Sequence, residues 1–210
     1  METLYITAAK EAQAEIIIER SRFISAAAHV TGREDAERFI ASIRKKYRDA
    51  THNVPAYIVG EKSEIKAASD DGEPAGTAGG QILRMIEARG LTFTAVVVTR
   101  YFGGKKLGTG GLSRAYAEAA AKALDSAGAA RAVMKDRIGV SCGYPEYGKV
   151  TRSGALAAAA VRNEKFGASV TFELVCDSAD SDAVLSAVRD ATAGSAKTER
   201  LGSFIDLVPA

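Results

Sequence analysis

The chain has 210 residues, 47% of them hydrophobic and 26% charged, with a net charge of +2. That balance belongs to a globular protein and excludes a disordered chain. The longest apolar runs, such as Ala95–Val98 and Ala155–Val161, fall far short of the roughly 20 residues a membrane span needs.

Met1–Lys10 lacks the basic start and apolar block of a secretory signal, so the expected compartment is the cytoplasm. Two cysteines, Cys142 and Cys176, are too few for a disulfide framework or a metal ribbon and are expected as buried free thiols. The first 133 residues carry 19 basic and 16 acidic side chains, the remainder 9 and 10. Neither balance is that of a dedicated duplex-DNA binder, so any nucleic-acid contact has to come from a local patch.

In chain order, Glu15–Ile18 and Arg22–Val30 are predicted strands joined by a turn at Arg20–Ser21. Thr31–Gly32 introduces a helix, Glu34–Tyr47, with Ala36, Phe39, Ile40 and Ile43 on one apolar face. Arg44, Lys45, Lys46 and Arg48 gather at its far end, where cations complement the helix dipole. Ala56–Val59 and Glu64–Ala68 fit a hairpin around Gly60–Ser63. After a loop, Ser69–Gly80, comes a helix over Gln81–Ala88 with Gly90 as its C-terminal cap. Thr92–Thr99 is β-branched and dense enough to be a strand buried on both faces. A glycine-rich loop, Gly103–Gly111, leads into an alanine-rich helix, Leu112–Ala127, closed by Gly128.

The remainder reads as strand Arg137–Cys142, helix Pro145–Ser153, strands Ala157–Asn163 and Ser169–Val175, helix Asp180–Thr192 and strand Thr198–Val208. This βαββαβ order is the ferredoxin-like arrangement. With a boundary expected in Ala129–Met134, the chain reads as an α+β protein of two domains, 1–131 and 132–210.

Two loops carry the chemistry. In Ser69–Gly80, three carboxylates, Asp70, Asp71 and Glu73, fall within four residues and repel unless hydrogen-bonded or paired with a cation. Thr77 adds a hydroxyl near a helix start. Such a loop serves either a metal or polar ligand, or a turn whose acids cap a helix and pair with nearby bases. It is not an EF-hand, because the alternating ligands and terminal Glu are missing. In Arg100–Arg114, Gly103, Gly104, Gly108, Gly110 and Gly111 accompany four cations, Arg100, Lys105, Lys106 and Arg114, with no acid among them. Following a buried strand and opening a helix, this is an anion cradle in chemical terms. It lacks the Gly-Lys-Ser/Thr ending of a Walker loop. His52 stands at a strand entrance as a candidate acid or base, with no nucleophile to complete a triad. Tyr101 and Phe102 are candidates for base stacking.

At these residues the sequence resembles the YigZ/IMPACT family. The matching residues are Arg22-Phe23-Ile24, Ala50-Thr51-His52-Asn53, Ser69-Asp70-Asp71-Gly72-Glu73-Pro74, Gly76-Thr77-Ala78-Gly79, Arg100-Tyr101-Phe102-Gly103-Gly104, Lys106-Leu107-Gly108, Gly110-Gly111-Leu112 and Arg114-Ala115-Tyr116. Lys105, and Gly80-Gln81, depart from the family's usual apolar residue and Arg-Pro pair. The resemblance implies a first domain folded like the second domain of a small-subunit ribosomal protein, in the superfamily of the small-molecule (GHMP) kinases. It also implies translational control, the role of the eukaryotic members.

The leading expectation is a translation-associated protein binding RNA or the ribosome through Arg100, Lys105, Lys106 and Arg114, with Tyr101 stacking. One alternative is an enzyme acting on a nucleotide or phosphorylated small molecule, with magnesium held by Asp70, Asp71 and Glu73. The other is a protein-docking module in which the two loops pair. No catalytic constellation is identified, and outside the magnesium alternative no metal or cofactor is expected. No membrane partner is expected.

Overall fold

The computed structural model describes residues 2–153 and 157–210. The protein is α+β with two sheets and two compact units, the first made of Tyr5–Arg131 with Val208–Ala210 and the second of Ala132–Leu207 with the N-terminal residues up to Leu4. The passage from Arg131 to Ala132 between the units is not a linker. A single strand, β7, runs through it from Ala129 to Cys142.

The first unit is built on an antiparallel sheet in the order β2-β3-β6-β4-β5. Its strands are β2 (Ala12–Ile18), β3 (Ser21–His29), β4 (His52–Val59), β5 (Ile65–Ala68) and β6 (Thr94–Tyr101). Helices α2 (Gly79–Ala88) and α3 (Gly108–Ala127) cover one face and α1 (Arg33–Lys46) covers the other. The central strand β6 shows how period-two alternation fills both layers: Val96 and Val98 enter the α2/α3 core, while Ala95 and Val97 face α1. The alanines of α3 (Ala115, Ala119, Ala120, Ala123 and Ala127), all buried, let that long helix lie close to the sheet.

β2 and β3 are joined by Glu19 and Arg20 alone, and both have positive φ, 46° and 67°. That is the backbone of a primed two-residue hairpin turn, here built without glycine or asparagine. A strand absent from the sequence expectation, β1 (Thr3–Ala8), places Thr7 at the start of β6, where its hydroxyl donates to the Phe93 carbonyl at 2.9 Å.

The second unit runs β7, α4 (Tyr144–Arg152), β8 (Ala159–Phe166), β9 (Val170–Asp177), α5 (Ser181–Ala191) and β10 (Lys197–Pro209). Its sheet has the order β1-β7-β9-β8, with β10 also beside β7. Ile138, Val140, Phe172 and Leu174 form the core with Val150, Val184 and Val188 from the helices. Cys142 and Cys176 are free and buried there, and burial raises both thiol pKa values.

Candidate functional site

The acidic loop leads from β5 to the start of α2. Asp70 turns inward, its Oδ1 accepting the Ala78 and Gly79 amides at 3.0 and 2.9 Å and its Oδ2 the Gly76 amide at 2.8 Å. Burial pushes its pKa up, but the three N–H donors together outweigh burial and hold the carboxyl below its ordinary value. Asp71 accepts the Asn53 amide at 2.7 Å and a bond from Arg44 at 2.9 Å. Thr77 donates its hydroxyl to the Pro74 carbonyl at 2.6 Å. Helix α2 lies so close to Ser69 that a Cβ on Gly79 would sit 2.5 Å from the Ser69 carbonyl oxygen. Among the described residues, no three His, Cys, Asp or Glu side chains are grouped to hold a metal ion.

Glu73, third of the carboxylates, is buried. Arg100 Nη1 donates to its Oε1 at 2.6 Å and the Tyr116 hydroxyl donates to the same atom at 2.8 Å. Burial first, then the Glu73 carboxylate, push the Tyr116 phenol far above its ordinary pKa. His52 donates Nδ1–H to the Asp71 carbonyl at 2.7 Å, which leaves Nε2 facing Glu73 Oε1 at 3.8 Å. The Arg100 guanidinium lies 5.4 Å from the ring centroids of both Phe23 and Phe102, and its Nε has no hydrogen-bond partner among the described residues.

Arg100 is therefore not the exposed phosphate contact the sequence suggests. It is 5% exposed and serves as the buried partner of Glu73. The physical reason is strand alternation: Arg100 and Tyr101 are adjacent on β6 and point to opposite faces. Arg100 enters the α3 side with Phe23, its partner across the strand pair. Tyr101 faces the α1 side, where its hydroxyl donates to Asp49 at 2.9 Å and Arg22 lies 5.8 Å from its ring.

The glycine-rich segment divides in two. Gly103 packs directly on the backbone of Arg20 and Ser21, with no room for a Cβ, and its amide donates to Ser21 Oγ at 3.2 Å. Gly104 and Gly108 have φ of +85° and +70°, a region that favours glycine. The loop then ends sooner than expected, because α3 starts at Gly108 and Gly110 and Gly111 lie in its first turn. Among the described residues that turn has no side-chain cap, and it contains no acidic residue. Beside it lies a groove of about 520 Å³ lined by Lys105, Lys106 and Arg114 together with Ile18, Leu107, Glu19 and Glu118. Lys105 is paired with Glu19 at 2.6 Å. Lys106 and Arg114 have no ion pair among the described residues.

The structure thus brings Lys105, Lys106, Gly111 and Arg114 together and places Arg100, Tyr101 and the acidic loop elsewhere. Two participants, Tyr116 and Glu19, are not among the expected site residues, although Tyr116 falls in a matching family motif. Tyr116 sits one turn after Leu112 in the alanine-rich helix, and Glu19 immediately precedes the turn expected at Arg20–Ser21.

The Impact N-terminal domain model matches residues 19–124, and the domain of unknown function DUF1949 matches residues 140–195. The chain belongs to the IMPACT family. It is 37% identical over 179 residues to the IMPACT family member YvyE of Bacillus subtilis, covering 85% of this chain and 82% of that one. The IMPACT family member YigZ of Escherichia coli is 44% identical over 109 residues, 51% of this chain and 53% of that one. A solved structure of a hypothetical protein is similar with a TM-score of 0.63 at 30% identity, over 96% of this chain and 98% of that one.

Proposed function

We propose that this IMPACT-family protein is a translation-associated binding protein that contacts RNA, in the ribosome or free of it, through the groove at the start of α3. The observation that carries the reading is the uncapped first turn of α3 next to two cations without an ion pair, Lys106 and Arg114. A helix start offers N–H donors and positive potential to a phosphate, and Gly110, where the nearest atom to a Cβ would be Arg114 Nη1 at 3.6 Å, leaves that approach open. Lys105 joins them by exchanging Glu19 for a phosphate. The translational context comes from the family resemblance. Asp70, Asp71 and Glu73 are all committed to partners within the fold, which favours binding over magnesium-dependent phosphoryl chemistry. We further read the first unit as the ribosomal-protein-like fold. The strand order β10-β7-β9-β8 supports a ferredoxin-like second unit.

The test is co-sedimentation with ribosomes over a salt series, comparing wild type with a Lys105→Ala, Lys106→Ala, Arg114→Ala triple variant. Binding that falls steeply with salt and is lost in the folded variant is the expected result. Absence of wild-type binding at low salt, or full binding by the variant, overturns the reading.

A further inference from the structure

The second unit presents a surface that the groove does not involve. Tyr144, the first residue of α4, and Phe166, the last of β8, are 53% and 59% exposed, with ring centroids 6.4 Å apart. A lone exposed ring needs no explanation, but two side by side do. Neither ring is loose. The Tyr144 hydroxyl donates to the Gly167 carbonyl at 3.0 Å. Tyr147 stands edge-on to Phe166 at 5.6 Å and also touches Phe172, a core residue, at 5.4 Å. The pair is braced from the core outward, so binding need not order it.

Charge and size choose the partner. Residues 144–166 carry four cations, Lys149, Arg152, Arg162 and Lys165, against two carboxylates, Glu146 and Glu164. Both carboxylates are engaged, Glu146 with Lys149 at 3.9 Å and Glu164 with the Tyr147 hydroxyl. The rest of residues 132–207 carries five cations against eight carboxylates, so the rings stand on the positive stretch of an acidic unit. Arg152 lies two turns along α4 on the same face as Tyr144. A protein interface buries about 800 Å² on each side and needs more apolar surface than two rings provide. Two bases need only two ring faces.

We propose that Tyr144 and Phe166 form a stacking site for bases of single-stranded nucleic acid, with Arg152 meeting an adjacent phosphate. Stacking uses the π-face that every base has, so the site selects unpaired strands rather than a sequence. It is independent of the α3 groove in residues and in unit.

The experiment is fluorescence anisotropy of a labelled short oligouridine and of a duplex of equal length, at low salt. The full chain carries Lys105→Ala, Lys106→Ala and Arg114→Ala so that the groove does not contribute. The single strand is expected to bind in preference to the duplex. Phe166→Ala and Tyr144→Ala should each weaken that binding about fivefold or more. Phe166→Tyr should retain binding and Phe166→Leu lose it, which separates a stacking ring from a merely apolar one even if the alanine variant folds poorly. No single-strand binding, preference for the duplex, or full binding by a folded Phe166→Leu variant overturns the proposal. So does self-association that disappears in Phe166→Leu, which would make the rings a contact between copies. The groove reading fails on a different comparison, ribosome co-sedimentation left unchanged by the triple substitution.

Discussion

Two glycine-containing loops of the first unit each deliver the chain into a helix, and they use their polar groups in opposite ways. The acidic loop closes on itself: the amides at the start of α2 are taken by Asp70, and Asp71 and Glu73 are bonded to Asn53, Arg44, Arg100 and Tyr116. The loop before α3 is anchored at Gly103 and then leaves the helix start uncapped beside Lys106 and Arg114. Glycine content therefore does not mark a site by itself. What distinguishes the loops is whether the donors and charges have internal partners.

The sharpest way to break this contrast is to remove a partner from the closed loop. Glu73→Ala strands a buried guanidinium and should cost about 3–5 kcal/mol in urea unfolding, whereas a neutral effect would show that the cluster is solvated. The glycines give a second test. Gly79→Ala forces a Cβ against the Ser69 backbone and should destabilise by about 1–3 kcal/mol. Gly110→Ala meets no such contact and has ordinary φ, so it should leave stability unchanged or raise it by up to about 1 kcal/mol. The same substitution should weaken ribosome co-sedimentation, since the missing Cβ serves the partner rather than the fold.

Asp70→Ala frees three amides and should cost about 1–2 kcal/mol near neutral pH. Because the folded pKa of Asp70 is depressed, its contribution is present above the unfolded pKa, about 3.9, and disappears as pH falls through the folded value. The variant's stability should therefore lose part of the wild-type fall with acid, measured as unfolding free energy between neutral pH and about pH 3. The smallest effect on stability belongs to Lys106→Ala, within about 0.5 kcal/mol of wild type. Its effect on RNA affinity should be clear, with the slope of log K against log salt reduced by about 0.7 for a single-strand contact.

Much of the fold was legible in the sequence because periodicity reports burial directly. The apolar face of α1, the double burial of β6 and the βαββαβ order all follow from spacing. The start of α3 was not, because glycine is a poor helix former and Gly108–Gly111 reads as loop on propensity. Within the site, the co-location of Lys105, Lys106 and Arg114 was legible from their place around one helix start. The fate of Arg100 was not. A charged side chain on a strand reads as exposed until its partner is known, and Glu73 lies far away in sequence. Tyr101 was grouped with Arg100 by adjacency, although neighbours on a strand face opposite ways. Glu19 and Arg20 hold a turn that glycine or asparagine would make more easily, so the turn was expected one residue downstream, at Arg20–Ser21.

A two-residue hairpin turn at the surface is ordinarily where a chain tolerates an inserted residue. The turn between β2 and β3 has lost that freedom. Gly103 is seated against its backbone, and Lys105, two residues on, reaches back to Glu19. The length of this hairpin is thus set by a loop far downstream in the chain. An insertion at Glu19–Arg20 would be read out as a displaced lysine in the groove.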